Sequence, residues 1–232
     1  MSPIFDLPPT ARPSDSVPKV FGIVVYPGFQ ALDVFGPLDA LNMLSLAYPL
    51  KLYVIAETLD PISTKIPSHH LPDGSDFSQC IVPTHKFDDV PSIDVLLVPG
   101  GFGNRPPANL DAALAYITKV YPYLRYLVTV CTGSALVART SLLDGRQATT
   151  NKRAFKATAA LRPQVKWVAQ ARWVVDGNIW TSSGVSAGID VTLAFIGDVY
   201  GRDVADMISD FLEYERHTDS AWDPYAEKMG LV

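Results

Sequence analysis

Residues 126–136 read YLVTVCTGSAL, and the change of character inside this stretch sets the architecture. Tyr126 to Val130 is apolar and β-branched without alternation, the pattern of a strand buried on both faces of a parallel sheet. Cys131 follows directly, and Thr132, Gly133 and Ser134 lead into Ala135-Leu136-Val137-Ala138, a helix-forming run. A strand that turns at once into a helix holds its corner residue in a strained, sparsely allowed backbone and aims that side chain out of the sheet. The stretch therefore predicts a nucleophile elbow with cysteine at the corner. Gly133 allows the tight turn, and N–H groups at the start of the helix favour the reactive thiolate. A buried cysteine acting as a small hydrophobe is the plainer alternative and the commoner role of a lone Cys.

Working outward, IDVLLVP (93–99) is another buried strand, and it ends in Gly100-Gly101-Phe102-Gly103. Glycines at a strand's carboxyl end let the backbone approach a ligand and offer free N–H groups. A helix over about 110–121 joins this strand to the Cys131 strand. Further back, KVFGIVVY (19–26) is the first strand, followed by the turn Pro27-Gly28-Phe29-Gln30. A helix is entered through 31–37, with Pro37 at its first position and Leu38, Leu41, Met43 and Leu44 as apolar cover. Asp33 falls just beyond the carboxyl end of the first strand, where ligands bind in open α/β sheets. Taken alone, capping a turn or the helix is its plainer role. Asp33 and Cys131 are thus expected at one sheet edge, and a carboxyl against a thiolate must raise the pKa of one partner.

KLYVIAE (51–57) is the second strand, and 58–92 reads as a small hairpin excursion with 78–82 as one arm. It holds His69, His70, Cys80 and His85, whose spacings match no zinc pattern, so an exposed loop without metal is expected. Beyond the elbow, Leu142-Leu143-Asp144-Gly145 should end its helix with a glycine C-cap. A short strand over 147–150 and a helix over 152–161, stopped by Pro163, come next. RWVVDGNIWTS (172–182) is a hairpin with Asp176-Gly177 at the turn. A long helix opens at 184–190 and runs to Tyr200, Gly201 breaks it, and an amphipathic helix covers about 204–215. The tail, 216–232, is expected to pack on the surface.

With 232 residues and 48% hydrophobic content, residues 19–232 can form one α/β domain with a large core. The net charge of −5 argues against a nucleic-acid surface. Two cysteines argue against a disulfide framework and suit a reducing cytoplasm. No apolar run approaches the roughly 18 residues of a membrane span, and the N-terminus lacks the regions of a secretory signal. Its five prolines (Pro3, Pro8, Pro9, Pro13, Pro18) predict an extended or disordered arm over residues 1–18.

Four ordered motifs carry a resemblance: VPGG (98–101), VCTGSALVA (130–138), LLDGRQATTNK (142–152) and SSGVSAGIDVTL (182–193). Together they resemble the ThiJ/PfpI superfamily, the class I glutamine-amidotransferase-like group that includes the parkinsonism-associated deglycase. The resemblance covers about 19–215 and implies a flavodoxin-like three-layer sandwich and a homodimer. LDVFGPLDAL (32–41) with VCTGS is most similar to the isonitrile hydratase branch, though the same features occur in sensor domains of AraC-type regulators. By resemblance Cys131 is the nucleophile, Asp33 the acidic residue that hydrogen-bonds it, and Thr132 the residue after it. Gly101 and Thr132 supply backbone donors, with Gly100 beside them in the oxyanion and substrate-binding loop. Peptidase-like members carry histidine directly after the cysteine; here that position is Thr132, which excludes a Cys–His dyad of that type. The family's frequent His-Trp after Ala-Thr-Thr is Asn151-Lys152 here.

The resemblance implies an isonitrile hydratase-like lyase that acts on a small molecule and needs no cofactor. Two alternatives stay open: glyoxalase or deglycase-type chemistry on α-oxoaldehydes, and a non-enzymatic redox or small-molecule sensor whose cysteine has a low pKa.

Overall fold

In the computed structural model, which describes residues 7–105 and 110–232, the apolar runs become strands of one sheet. The chain runs β1 (Val20–Val24), α1 (Ala31–Ser45), β2 (Lys51–Ala56), β3 (Ile62–Ser63), β4 (Cys80–Ile81), β5 (His85–Lys86) and β6 (Val95–Val98). Next come α2 (Asp111–Val120), β7 (Tyr126–Thr129), α3 (Gly133–Ala138), β8 (Gln147–Ala148), α4 (Phe155–Leu161) and β9 (Lys166–Trp167). Then follow β10 (Trp173–Asp176), β11 (Ile179–Ser182), α5 (Ala187–Val199), α6 (Arg202–Phe211) and α7 (Pro224–Lys228).

Among the described residues, seven strands make the central sheet in the order β10-β11-β7-β6-β1-β2-β5. Every pairing is parallel except that of β10 with β11. All four residues of β6 are buried, as are the last three of β7, which is why neither run alternates. From β1 the chain steps to β2 on one side, and later from β6 to β7 on the other. Right-handed crossovers therefore put α1 and α2 on opposite faces. Helices α1, α5 and α6 pack together, and α2 meets α3. The result is the expected flavodoxin-like three-layer sandwich, with β2-β1-β6-β7-β11 as its parallel core. The direction of winding reverses between β1 and β6, so a crevice opens at their carboxyl ends.

Several local expectations are corrected. Pro37 lies inside α1, which already starts at Ala31, and is not a first helical residue. A proline there deprives the carbonyl four residues earlier, that of Asp33, of its helical donor. Helix α3 stops at Ala138, well before Gly145, because Ser141 takes φ +67° and the chain breaks into turns. The hairpin turn is Gly177-Asn178, since Asp176 still pairs with Ile179. The excursion does form the expected antiparallel pair, β3 with β4, but His85 and Lys86 leave it to extend the main sheet beside β2.

The tail is not merely superficial. Asp223 and Ala226 are buried, and the Lys152 ammonium lies 3.4 Å from Asp223 Oδ2. The Arg172 guanidinium, paired with buried Asp190, sits over the Trp222 ring. Residues 7–18 are also tied to the domain by hydrogen bonds. Arg12 N–H donates to the Tyr200 carbonyl (2.8 Å), the Tyr48 hydroxyl to the Arg12 carbonyl (2.9 Å), and the Tyr200 hydroxyl to the Pro18 carbonyl (2.6 Å). Residues 1–6 lie outside the described residues.

Candidate active site

Three neighbouring strands, β1, β6 and β7, each end at the crevice, and each delivers one part of a single cluster. From β7 comes Cys131 at φ +58°, a left-handed conformation that costs a non-glycine residue of order 1–3 kcal/mol. The expected elbow is present. The strain is held from several sides: Cys131 N–H donates to the Ser183 carbonyl (3.2 Å), and its carbonyl accepts from the Ser134 (3.1 Å) and Thr150 (3.0 Å) hydroxyls. Gly133 is obligatory, since a Cβ there would stand 2.1 Å from the Val98 carbonyl oxygen of β6.

From β1 comes Asp33, in the first turn of α1 and 1% exposed. Its Oδ2 accepts the Gly100 N–H at 2.9 Å. Oδ1 has no hydrogen-bond partner among the described residues, and the Cys131 thiol lies close enough that each group shifts the other's pKa. The two residues therefore do share one site. From β6 comes the glycine loop. A Cβ on Gly100 would lie 2.5 Å from Thr132 N and 2.9 Å from Asp33 Oδ2, so only glycine lets elbow and carboxyl close on each other.

The glycine N–H groups are not free, contrary to expectation. Gly100 N–H serves Asp33, and Gly101, at φ +146°, turns its N–H to the Thr132 hydroxyl oxygen (3.1 Å). The groups that favour the thiolate are the Thr132 N–H and the side chain of Asn151. Asn151 accepts the Ala154 N–H at Oδ1 (3.2 Å), which leaves its amide nitrogen as the donor. Gly184 makes room for that amide, because a Cβ there would fall 1.9 Å from Asn151 Nδ2.

Burial governs the electrostatics. It pushes the Asp33 carboxyl up to about 7, against the Gly100 N–H and the thiol, which both favour the charged form. Burial first, and the Asp33 charge second, push the Cys131 thiol well above its usual range, against the Thr132 and Asn151 donors. The expectation of a thiolate stabilised by the helix start is thus corrected: with Cys131 only 5% exposed, desolvation outweighs those donors. At neutral pH the pair holds between one and two protons. Tyr26 is buried near both groups, and its hydroxyl donates to the Pro99 carbonyl (2.7 Å).

A cavity of about 440 Å³ opens over the thiol, within the range of small-molecule sites. Its wall includes Gln30, Phe102, Arg105, Asn151, Arg153 and Val185, together with Gly101, Cys131 and Thr132. Gly100 and Asp33 lie behind this wall rather than in it.

The pattern of the DJ-1/PfpI family matches residues 19–197, which include all three loops of the cluster. The chain belongs to the DJ-1/PfpI family. Among its relatives, the isonitrile hydratase of Pseudomonas putida is 32% identical over 194 residues, 83% of this chain and 77% of that protein. The HTH-type transcriptional regulator GbdR of Pseudomonas aeruginosa is 32% identical over 136 residues, 59% of this chain but 36% of the regulator. A crystal structure of a ThiJ/PfpI family protein from Pseudomonas syringae superposes with a TM-score of 0.71 at 24% identity, covering 97% of this chain and 92% of that one. The resemblance carried by the four motifs is thus a family membership.

Within this DJ-1/PfpI site, sequence reasoning missed Tyr26, Gln30, Asn104, Arg105 and Arg153. Asn104 Nδ2 donates to the Thr132 carbonyl (2.8 Å) and so braces the elbow from the glycine loop. A lone buried asparagine in a single short 3-10 turn, Phe102–Asn104, has no periodicity to betray it. The histidines stay out of the cavity wall: His70 lies tilted against Phe102 at 5.4 Å between ring centroids, His69 lies against His70, and His85 lies against Tyr53. Cys80 is exposed on β4.

Proposed function

We propose that this protein is a cysteine-dependent lyase of the isonitrile hydratase type, adding water to a small isonitrile to give an N-substituted formamide. The observation that carries it is a buried cysteine and a buried carboxyl side by side beneath a cavity of small-molecule size, where burial raises the thiol and brings the carboxyl to about 7. An isonitrile carbon has a lone pair and is also electrophilic, so it needs one group to add and one to move a proton. Asp33 carboxylate takes the proton of Cys131 S–H and passes it to the isonitrile carbon as the sulfur bonds there, giving the thioimidate R–N=CH–S. Water then adds to that carbon, one of its protons reaching nitrogen by way of Asp33. Collapse breaks the C–S bond, the remaining hydroxyl proton returns to sulfur, and R–NH–CHO leaves. Thr132 N–H and Asn151 Nδ2 are the donors beside the sulfur, placed to steady charge as it forms.

The competent state carries one proton on the pair. It forms when the doubly protonated pair loses a proton near pH 7, so kcat/KM should rise about tenfold per pH unit below that value and level off above it. The experiment is formamide production from cyclohexyl isocyanide by wild type and Cys131→Ala, with methylglyoxal assayed in parallel. Formamide from wild type and none from Cys131→Ala is expected. Methylglyoxal consumption without any formamide would move the protein to the α-oxoaldehyde reading, for which no histidine stands in the cavity wall among the described residues.

A homodimer belongs to the same reading. Leu32 and Phe35 of α1 are each 41% exposed, and Leu32 shares a groove with Tyr225 and Met229. Sedimentation at micromolar concentration should give twice the chain mass; a clean monomer refutes it. Both cysteines are free, which suits the proposed cytoplasmic setting, and cell fractionation tests that placement. Among the described residues no helix is long and apolar enough to cross a membrane.

A further inference from the structure

The cavity over Cys131 has a charge that the rest of the molecule does not lead one to expect. The chain carries a net charge of −5, yet among the described residues the wall of this cavity holds two guanidinium groups, Arg105 and Arg153, and no carboxylate. Among the described residues no ion pair engages either arginine. Both guanidinium groups face this half-open cavity, and among the described residues of its wall no opposite charge accompanies them. Both are also pre-positioned. The Arg105 guanidinium lies 4.0 Å over the Phe102 ring, a cation–π contact that restricts its planar fork. Arg153 sits in the tight turn Lys152–Ala154, fixed at its start by the Asn151 cap. Its neighbour Lys152 is turned into the core toward Asp223, so the two adjacent cations are sorted, one inward and one to the cavity.

We propose that Arg105 and Arg153 form an anion subsite in the mouth of the Cys131 cavity, and that the preferred substrates are small isonitriles whose N-substituent carries a carboxylate. The reacting carbon would lie at the sulfur and the carboxylate between the two guanidinium groups, which offer forked donors matched to it. The isonitrile half of this statement rests on the proposed function; the anion half rests on the wall of the cavity alone.

The first measurement compares hydration of isocyanoacetate with that of its uncharged methyl ester at pH 8 and low salt. The expected result is a kcat/KM at least about tenfold higher for the anion, most of it in KM, shrinking as ionic strength rises. Arg105→Gln and Arg153→Gln should each lower the anion-to-ester ratio about tenfold, and Arg153→Lys should restore part of it. The second measurement needs no turnover: propionate and propionamide are compared as protectants of Cys131 against iodoacetamide. Propionate should protect at concentrations about tenfold lower, and this advantage should vanish in the Arg105→Gln/Arg153→Gln double variant. Equal protection by the two, or hydration of the ester as fast as the anion, overturns the anion subsite. Propionate protection without hydration of either isonitrile supports the subsite and overturns the isonitrile reading instead.

Discussion

Asp33→Asn should give a protein that resists urea better than the wild type at pH 8 and no longer turns over. The carboxyl is 1% exposed, and burial has raised it to about 7 from the 3.8 of a free side chain. A group raised in the fold binds its proton more tightly there than in the unfolded chain. Its favourable contribution is complete below pH 3.8 and is lost as pH rises through 7. Above pH 7 the native state carries the full cost of a buried carboxylate, on the order of 4 kcal/mol for a shift of this size. Asparagine keeps an acceptor for the Gly100 N–H and never ionises. The stability gain should therefore be largest above pH 7 and shrink toward zero near pH 4, as urea unfolding at pH 8 and pH 5 would read. Turnover should fall by about a hundredfold to ten-thousandfold, the usual contribution of a positioned acid–base. A variant that is active, or one no more stable than wild type at pH 8, contradicts the account. In the proposed reaction the arrangement is a stability cost accepted for a proton carrier at the sulfur.

How much of this was readable in advance depended on how far each feature reaches along the chain. The strands β1, β2, β6 and β7 were legible because burial on both sheet faces leaves unbroken apolar runs. Cys131 was legible because the strand-to-helix change is abrupt, and Asp33 because position after a strand's carboxyl end carries meaning whatever the distant partner. The protonation state was not. The sequence shows donors at the helix start but not that Cys131 is 5% exposed, and desolvation decided the sign. The glycine N–H groups were misread for a related reason: their direction depends on φ at Gly101 and on the Thr132 hydroxyl, which comes from another strand's loop. Pro37 misled because a proline tolerated inside a helix looks the same in sequence as one that starts it. The arginines of the cavity wall come from two loops and have no spacing to be recognised by.

The tail makes the largest correction, and it sets up a second strong effect. Asp223→Asn should destabilise the fold by about 3–5 kcal/mol near neutral pH, since it strands a buried cation. Lys152 is 4% exposed, donates to the Thr149 hydroxyl (2.6 Å) and the Ala171 carbonyl (2.7 Å), and has Asp223 as its counter-charge at 3.4 Å. Asparagine would still cap α7 by accepting the Tyr225 N–H, so the variant removes the charge without removing the cap. Burial holds Lys152 down to about 8 from 10.5, with Asp223 opposing that shift, so losing Asp223 must lower it further. A lysine depressed in the fold binds its proton more tightly when unfolded, so stability rises as pH climbs from the folded value to the unfolded one. The damage from Asp223→Asn should therefore be severe at pH 6.5 and much smaller at pH 9.5, where Lys152 can shed its proton and leave nothing stranded. The double variant Lys152→Met/Asp223→Asn should recover most of the loss at pH 6.5. Urea unfolding of both variants at the two pH values decides it, and equal losses at both would refute the buried charge as the cause. The elbow should feel the same change: Lys152 also donates to the Thr150 carbonyl (3.3 Å), and the Thr150 hydroxyl donates to the carbonyl of Cys131 (3.0 Å). A tail more than 90 positions downstream of Cys131 thus braces, through Lys152 and Thr150, the strained residue on which the proposed chemistry depends.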